Sequence, residues 1–596
     1  MPIVPRLRHG RGRVPAGLPD RLPDVLSAGL FALLIVAMAA CSGEPVPSGS
    51  PSPTTIGTPG ASPVAAGPTC PPPAPGLPPD SRWWVDRVFY EVFVRSFADS
   101  DGDGIGDLRG LTERLDYLND GDPATHDDLG VTALWLMPVA ESPSDHGYDV
   151  TDYRTIESDY GTNDDFRAFM TAAHERGIGV VVDFVVNHTS VQHPWFVDAR
   201  TSGSAHDPWY VWSAPPAPFN GPSGQVVWHP SGERLYYGFF WDGMPDLNLS
   251  NPAVTAELAD IARFWLDELG VDGFRLDAAQ HLIEEGQQQV DTGATHAWLN
   301  GFRDTIHAVD PEALVLGEVF NTRFVTASYI DSASLDLVFD FDLAGTIRNA
   351  VRLGDANTVL ASLEDLGRRY PAGGVATFLS NHDQNRIMSE LRGDTGAARS
   401  AAAILLTSPG APFLYYGEEV GLQGRKPDPD IRTPLPWTGD LPGRGFTTGT
   451  PWAPFAPGAD AATVATQDDD PASLLSAYRQ LIALRATSRA LSAGSVVRAV
   501  SSSPSVAAWL RVVPDGDLAL VIHNLSDDDV AGVRISLPPG TLCGTPSVVK
   551  VSSVPPPAGG VPSLAVPVVA ADGGVVDYAP LATLPARSTW VIQLNR

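Results

Sequence analysis

The sequence predicts an α/β fold: a (β/α)8 TIM barrel with a domain inserted after the third strand and an antiparallel β-sandwich at the C-terminus. Three observations support this fold class. Eight short apolar runs, rich in β-branched residues, alternate with amphipathic helical stretches. The connection over residues 189–251 is far longer than a simple barrel loop. From residue 493 onward, short alternating runs are separated by turn residues, which is typical of a sandwich.

The eight apolar runs supply the predicted barrel strands. They are Val88–Phe97, Val131–Val139, Gly179–Asn187, Val271–Asp277, Ala313–Glu318, Leu335–Phe341, Gly374–Asn381 and Ala411–Tyr416. Pro252–Leu269 illustrates the helices between them, because Ser250 or Asn251 can cap its start and Gly270 can end it. An open doubly wound sheet is the alternative, although no Gly-rich dinucleotide fingerprint follows the first run.

The barrel is predicted to comprise residues 81–188 and 246–492. The segment between them, 189–245, is too long for a structureless loop and therefore predicts a small inserted domain, domain B. Its many Trp, Tyr and Phe residues can form the core of that domain or stacking walls for a ligand, and we expect both. Residues 493–596 are predicted to form the β-sandwich, which we expect to cap the barrel.

The first eighty residues predict export and a tether. The uncharged apolar run over residues 25–40 follows a positive segment with Arg6, Arg8, Arg11 and Arg13 and is shorter than the ~20 residues of a spanning helix, so residues 1–40 are predicted to be a signal peptide. The run leads into Cys41 through a fragment that resembles a bacterial lipobox, which would make Cys41 the lipidated residue. Residues 41–80 form a linker, because 13 of the 39 residues after Cys41 are Pro and cannot build a core. We expect an extracytoplasmic lipoprotein at the surface or membrane of a bacterium, with plain secretion or an uncleaved anchor as alternatives.

The charge balance excludes several classes of partner. The chain has 39 Lys+Arg and 70 Asp+Glu, a net charge of −31, so it lacks the basic footprint that nucleic-acid phosphates require. The same acidity argues against electrostatic docking on anionic lipid, so membrane contact is expected only through the lipid anchor. Three cysteines cannot form a disulfide-rich scaffold, and Cys70 and Cys543 either pair or remain free thiols.

Charged side chains stand at the predicted carboxyl ends of four runs, and in a barrel these ends face one mouth. The fragments are Asp183–His188, Gly273–His281, Gly317–Val319 and Phe378–Asp383. Any one such fragment is a weak signal, since acids at strand ends are often caps or surface residues. Four in this order, at barrel spacing, predict an active site with the acids Asp277, Glu318 and Asp383.

These fragments resemble the four signature regions of the α-amylase family of glycoside hydrolases, in a branch intermediate between oligo-1,6-glucosidase and neopullulanase. The resemblance extends from about Val88 to the capping domain. It implies that Asp277 is the nucleophile, that Glu318 is the general acid and base, and that Asp383 stabilises the oxocarbenium-like state. Retaining glycosidases place the first two carboxyls ~5–5.5 Å apart.

The same resemblance implies a set of substrate-binding residues around the acids. Arg275, two residues before the nucleophile, would keep that carboxyl ionised by its positive charge. His188 and His382 would donate to hydroxyl groups of the sugar at the cleavage point. In the fragment that follows the second run, Tyr148 would stack on that sugar and Asp145 would bond to it.

An acidic loop follows the first run, and carboxylates so close together repel one another unless a cation lies between them. The acids are Asp99, Asp101, Asp103 and Asp107. The loop is not an EF-hand, because Gly110 stands where that motif has its Glu. It resembles the calcium loop of amylases and oligosaccharidases, which implies one structural Ca²⁺ held by these side chains and the carbonyl of Ile105. A second Ca²⁺ is an open expectation, since Asn187, Asp246 and His281 match positions that amylases use for it.

Two local features bear on the reaction within the family. Ala278 follows the nucleophile, where related oligosaccharidases with α-1,6 specificity tend to have Val. Met244–Asn248 resembles the intermediate branch, a group rich in α-amylases. We therefore expect a monomeric, endo-acting hydrolase of α-1,4 bonds in starch, glycogen-type glucans or maltooligosaccharides. The alternatives are an exo-acting α-glucosidase or oligo-1,6-glucosidase, an α-glucan transglycosylase, and a glucan-binding protein without catalysis.

Overall fold

The structure is a computed structural model that describes residues 82–513, 516–542, 546–557 and 559–595. The predicted signal peptide, the lipidation site Cys41 and the Pro-rich linker lie outside these residues, as do Cys70 and Cys543. Within the described ranges, no helix has both the length and the apolar character that a membrane crossing requires.

Eight parallel strands close into a barrel, which confirms the predicted fold class. They are β1 (Phe89–Val92), β2 (Ala133–Leu136), β3 (Gly179–Phe184), β4 (Gly273–Leu276), β5 (Leu314–Gly317), β6 (Leu337–Phe339), β7 (Val375–Phe378) and β8 (Ala411–Tyr415). Each strand lies beside its neighbours in sequence, and β1 pairs with both β2 and β8 to close the sheet. Nearly all strand residues are buried, as expected for parallel strands that pack on both faces.

Helices alternate with the strands, and polar side chains cap the starts of many of them. The predicted helix from Pro252 is capped by the side chain of Asn251, but its last five residues, Trp265–Leu269, form a π-helical turn that ends at Gly270. The α-helices are Leu108–Glu113, Leu115–Leu118, Asn163–Glu175, Pro194–Ala199, Pro252–Phe264, Gly293–Val309, Arg323–Asp331, Phe341–Leu353, Ala356–Arg369, Ile387–Glu390, Thr395–Thr407, Asp428–Ile431, Val464–Gln467, Leu474–Ala486 and Arg489–Ala493.

The long connection after β3 contains its own small sheet. Three short antiparallel strands form it: Trp212–Ser213, Arg234–Tyr237 and Trp228–Ser231, in this spatial order. Its aromatic residues divide into two groups. Tyr210 and Tyr237 are buried, whereas Phe240 and Trp241 are about half exposed. The segment therefore has both an aromatic interior and aromatic faces open to solvent.

The C-terminal region consists of antiparallel sheets, as predicted. A five-stranded sheet has the spatial order Ser495–Arg498, Val506–Val512, Leu518–Asn524, Thr589–Asn595, Ser547–Val554. A three-stranded sheet has the order Val500–Ser501, Ile535–Leu537, Val575–Tyr578, and a ribbon pairs Val530–Ala531 with Thr583–Leu584. A second apolar cluster that includes Leu520, Ile535 and Trp590 fills the space between the sheets. The sandwich therefore has its own core.

Two buried arginines satisfy the end of one barrel helix, and one of them comes from the sandwich. Arg511, on the strand Val506–Val512, donates to the carbonyl oxygen of Thr407 at 2.6 Å. Arg485 donates to the carbonyl oxygen of Leu406 at 3.0 Å. These carbonyls end the helix Thr395–Thr407 and have no partner within it, so the guanidinium groups satisfy them.

Two tryptophans close the amino-terminal end of the barrel. Trp84 is buried in a cluster with residues of the barrel strands. Trp83 packs so closely on Gly179 that a Cβ at this glycine would lie 2.6 Å from the indole ring. The indole N–H of Trp83 also donates to the carbonyl oxygen of Glu312 at 2.9 Å. The chain therefore enters the barrel at this end.

Candidate active site

The predicted acids follow the carboxyl ends of three barrel strands. Asp277 comes directly after β4, Glu318 directly after β5, and Asp383 lies in the loop after β7. Each predicted run is longer than the strand it contains. The acids therefore stand in the first loop residues beyond the sheet, where side chains can project into the barrel mouth.

One guanidinium group brings three carboxylates together. Arg275 lies on β4, and its Nη1 donates to Oδ1 of Asp183 and to Oδ1 of Asp277, both at 2.6 Å. Its Nη2 lies 2.9 Å from Oε2 of Glu318. The Arg275 side chain is only 1% exposed, so these charges interact with little screening by water. The two carboxyls predicted to react are thus held around a single cation.

The surroundings of these two carboxyls shift both pKa values in the same direction. Burial raises the pKa of Glu318, and the negative charges of Asp277 and Asp383 raise it further against the opposing charge of Arg275. Burial also raises the pKa of Asp277, but the ion pair and hydrogen bond with Arg275 act in the opposite direction. The pKa of both carboxyls is therefore raised, and a hydrogen bond from Arg275 opposes the shift at Asp277.

The backbone after the predicted nucleophile is strained. Ala278 has a φ of 51°, a left-handed conformation that is uncommon for a residue with a Cβ. This conformation directs its N–H to Oε2 of Glu318 at 3.2 Å. Strain of this kind concentrates at functional sites, and here it links the two strand ends that present the acids.

Asp383 is held between two cationic side chains. Its Oδ2 lies 3.1 Å from Nε2 of His382, and its Oδ1 lies 2.9 Å from Nη2 of Arg432. Burial alone would raise the pKa of Asp383, but His382 and Arg432 outweigh it and hold that pKa below its ordinary value. Arg432 was not predicted from the sequence, because it lies in an irregular segment after β8 with no spacing that relates it to Asp383.

A second residue absent from the predicted set, Asp183, connects the mouth residues. Its Oδ2 accepts from the hydroxyl of Tyr148 and from the indole N–H of Trp135, each at 3.1 Å. The Tyr148 hydroxyl also lies 2.7 Å from Nε2 of His382. Burial raises the pKa of Asp183 to about 6, although Arg275 opposes this shift. The sequence did carry a signal, since a carboxylate inside a buried apolar run is exceptional.

The two remaining predicted binding residues have side-chain polar atoms without hydrogen-bond partners among the described residues. His188 is buried, and its Nε2 has no hydrogen-bond partner among the described residues. Burial lowers the pKa of His188 to about 4, so its ring is neutral at neutral pH. Asp145 is half-buried and makes no side-chain hydrogen bond in the part of the chain that the structure describes. Both side chains are therefore free to bond to a ligand.

An open groove lies over the acids. A cavity of about 320 Å³ is lined by Glu318, Asp383, Phe240 and Phe320, among others. A second cavity, of about 480 Å³, shares Phe320 and two other lining residues with the first, so the two form one groove. Phe320 is 65% exposed and presents an aromatic face on which a sugar ring can stack.

The acidic loop brings three of its four predicted carboxylates together. Oxygens of Asp99, Asp101 and Asp107 lie within 4.8 Å of one another, a spacing that oxygens bound to one Ca²⁺ can have. Asp103 is not part of this cluster; its Oδ1 accepts from the backbone N–H of Ile105 at 2.8 Å. The hard oxygen donors of the cluster fit Ca²⁺.

Buried oxygen atoms without partners lie at the second predicted calcium position. Oδ1 of Asn187, Oδ2 of Asp246 and Oε1 of Gln280 have no hydrogen-bond partner among the described residues. Glu284 is close enough for its charge to raise the pKa of Asp246 further above the increase caused by burial. The ring of His281 is occupied by other contacts, with Gln280 and a backbone carbonyl. These unsatisfied oxygens also fit a hard cation.

Comparison with known proteins identifies the family of the chain. Residues 91–494 match the family model of the α-amylase catalytic domain. α-Amylase 3 of Dictyoglomus thermophilum is 39% identical over 449 residues, which cover 74% of this chain and 85% of that protein. A trehalose synthase/amylase of Mycolicibacterium smegmatis is 34% identical over 519 residues, which cover 76% and 85%.

Solved structures show the same fold. The crystal structure of an α-amylase from H. orenii superimposes with a TM-score of 0.74 at 38% sequence identity, and the match covers 86% of this chain and 99% of that one. The relatives differ in the reactions that their names describe, so they establish the family and not one activity. The chain belongs to the α-amylase family of glycoside hydrolases.

Proposed function

We propose that this protein is a retaining glycoside hydrolase that cleaves internal α-1,4-glucosidic bonds of starch, glycogen-type glucans or maltooligosaccharides. The observation that carries the proposal is the groove lined by Glu318 and Asp383, which continues past Phe320. A closed pocket would admit only a chain end. A groove that stays open beyond the acids leaves room for further glucose units next to the bond that is cut.

The proposed chemistry is a double displacement. The Asp277 carboxylate attacks the anomeric carbon while Glu318 gives its proton to the departing glycosidic oxygen, so the C–O bond breaks and a glycosyl ester forms. Glu318, now ionised, removes a proton from water. That water attacks the same carbon, releases Asp277 and leaves the product with retained configuration. Asp383 stabilises the positive charge that develops on the sugar in both steps.

Binding at the cleavage point is assigned to the side chains around the acids. His382 and His188 donate to sugar hydroxyls, and the unpartnered Nε2 of His188 supports its assignment. Tyr148 supplies a ring for stacking, and Asp145 accepts from a hydroxyl. Arg275 holds Asp277 and Glu318 in place and favours the ionised nucleophile.

We propose Ca²⁺ as a structural cofactor. Asp99, Asp101 and Asp107 would hold it, and its charge would compensate three carboxylates that otherwise repel one another. A second Ca²⁺ would be held by the unsatisfied oxygens of Asn187 and Asp246. No step of the reaction passes through either ion.

The alternative is an enzyme that removes single glucose units or transfers glucosyl groups with the same acids. The similarity to a trehalose synthase/amylase over 76% of the chain favours this alternative. The two candidate functions differ in the length of glucan that the groove binds. They also differ in the acceptor that attacks the glycosyl ester. Water gives hydrolysis, whereas a second sugar in the groove gives transfer.

A time course on end-labelled maltoheptaose separates these functions. The proposal predicts early products of intermediate length. Stepwise release of glucose would show an exo-acting enzyme, and products longer than the substrate would show transfer, so either would contradict it. Asp277→Asn should be inactive, while Asp267→Asn, an exposed carboxylate on the preceding π-helical turn, should remain active.

The expected cell location is also a proposal. We propose that residues 1–40 are removed on export and that Cys41 carries a lipid, which leaves a monomeric enzyme tethered outside the cytoplasm through residues 41–80. The support is the order of arginines, apolar run, Cys41 and Pro-rich linker. Incorporation of labelled palmitate into the wild-type protein, and its loss in Cys41→Ala, would test this. Equal labelling of both proteins would contradict it.

A further inference from the structure

Glu91 is a buried carboxylate to which the proposed reaction assigns no role. It lies on β1 and is 1% exposed. Its Oε1 accepts from Nδ1 of His382 at 2.6 Å and from the backbone N–H of the same residue at 3.3 Å. One carboxylate oxygen thus fixes both the ring and the backbone of a residue at the mouth.

The other nitrogen of the His382 ring faces Asp383 and Tyr148. Nε2 lies 3.1 Å from Oδ2 of Asp383 and 2.7 Å from the hydroxyl of Tyr148. An ionised carboxylate only accepts, so an imidazole between two of them must carry a proton on each nitrogen. Burial alone would lower the pKa of His382, but the charges of Asp383 and Glu91 outweigh it and raise that pKa to about 10.

Hydrogen bonds continue from His382 to the predicted nucleophile. The hydroxyl of Tyr148 donates to Oδ2 of Asp183, and Oδ1 of Asp183 accepts from Nη1 of Arg275. The same Nη1 donates to Asp277. The network therefore extends from β1 to the residue after β4, with Glu91 at its far end. Anionic and cationic groups alternate along it, apart from the neutral Tyr148.

We propose that Glu91 is a positioning residue that keeps His382 doubly protonated and directs its Nε2–H toward Asp383 and Tyr148. Glu91 does not contact the reacting groups and acts only through His382. Without the carboxylate, Nδ1 would face a neutral group, and the ring would lose its proton or turn away. The catalytic consequence rests on the proposed function, whereas the charge of His382 can be measured without it.

Charged and titratable groups on several elements face the His382 ring. They are Glu91 on β1, Tyr148 after β2, Asp183 on β3, Asp277 after β4, Glu318 after β5, and Asp383 beside it. Arg432 donates to the backbone carbonyl oxygen of His382. Of the described residues, only Glu91 contacts Nδ1 with a charge. Glu91→Gln therefore changes the charge at one nitrogen and preserves the size of the side chain.

The test is an NMR titration of the full-length protein labelled with ¹³C-histidine, with the His382 signal assigned by His382→Asn. We expect Glu91→Gln to lower the titration midpoint of His382 by about 1–3 pH units. Glu91→Asp keeps the charge and should shift it less. As a matched control, Glu419→Gln replaces a buried glutamate bonded to Tyr90 and Tyr117, and it should leave the midpoint unchanged.

Kinetics provide the second measurement. We expect Glu91→Gln to lower kcat on maltoheptaose about 10- to 100-fold with a smaller effect on KM, and to move the alkaline loss of activity to lower pH. Glu91→Asp should recover part of kcat.

An unchanged His382 midpoint in a folded Glu91→Gln protein would overturn the proposal. If that variant does not fold, the wild-type titration decides, because a His382 midpoint at or below the ordinary 6.5 would overturn the proposal. Inactive wild-type protein would refute the proposed function and leave the titration result valid.

Discussion

Replacing Glu418 by Gln should stabilise the protein in mildly alkaline solution and change little at pH 5. Glu418 is 3% exposed, and its carboxylate accepts from the hydroxyl of Tyr478 at 2.8 Å and from that of Ser380 at 3.3 Å. No cation pairs with it among the described residues. Burial raises its pKa from the ordinary 4.5 to about 8, and the negative charge of Glu419 contributes to the increase.

The magnitude follows from that difference in pKa. A carboxyl whose pKa is raised by folding favours the native state fully below pH 4.5, and this contribution is lost as the pH rises toward 8. Each pH unit in this window costs the native state about 1.4 kcal/mol, so the total reaches about 4 kcal/mol. Gln imitates the protonated carboxyl and has no proton to lose. The variant should therefore gain most of this amount at pH 8.

Denaturation by guanidinium chloride at pH 5, 6.5 and 8 measures the effect. The free energy of unfolding of Glu418→Gln relative to wild type should increase steadily across the series. Glu233→Gln, a control in an exposed turn, should follow wild type at every pH. A difference for Glu418→Gln that does not depend on pH would refute the reasoning, because a lost or gained contact acts equally at all three values.

Three further predictions concern the proposed function. Asp277→Asn should lower kcat on maltoheptaose by about ten-thousand-fold without loss of folding, as monitored by circular dichroism. Asp101→Asn should abolish the rise in Tm that added Ca²⁺ produces, whereas Asp103→Asn, outside the carboxylate cluster, should retain most of it; equal effects of the two would contradict the cluster. Phe320→Ala should raise KM about 3- to 10-fold for long maltooligosaccharides and less for maltotriose, and equal increases would argue against stacking in the extended groove.

The barrel was predictable because its strands are buried on both faces and separated by amphipathic helices. All eight predicted runs contain a strand, yet each run is too long, since apolar residues continue past the last ladder hydrogen bond. Val88–Phe97, for example, contains the strand Phe89–Val92 followed by a 3₁₀ turn. An apolar run indicates that its residues are buried. It does not indicate where the strand ends, because the packed residues beyond the strand are apolar as well.

The candidate site was predictable only where its residues stand in fragments of recognisable order. Asp277, Glu318 and Asp383 belong to such fragments, and the structure brings them together around Arg275 and His382. Arg432 comes from an irregular segment whose path depends on tertiary packing. Glu91 belongs to a strand in which nothing but its charge sets it apart from its apolar neighbours. Residues such as Arg432 and Glu91 can be identified as partners of the site only from the closed barrel, which brings distant parts of the sequence together.

The two tryptophans at the amino-terminal end of the barrel determine where any tether is attached. Trp83 and Trp84 fix the start of the described chain at the end of the barrel opposite the acids, away from the opening through which a glucan enters. A force applied through the N-terminus would act on the amino-terminal end of the barrel and not on the catalytic loops at the opposite end. An enzyme immobilised through its N-terminus should therefore work on a bulky polysaccharide as well as the free enzyme does.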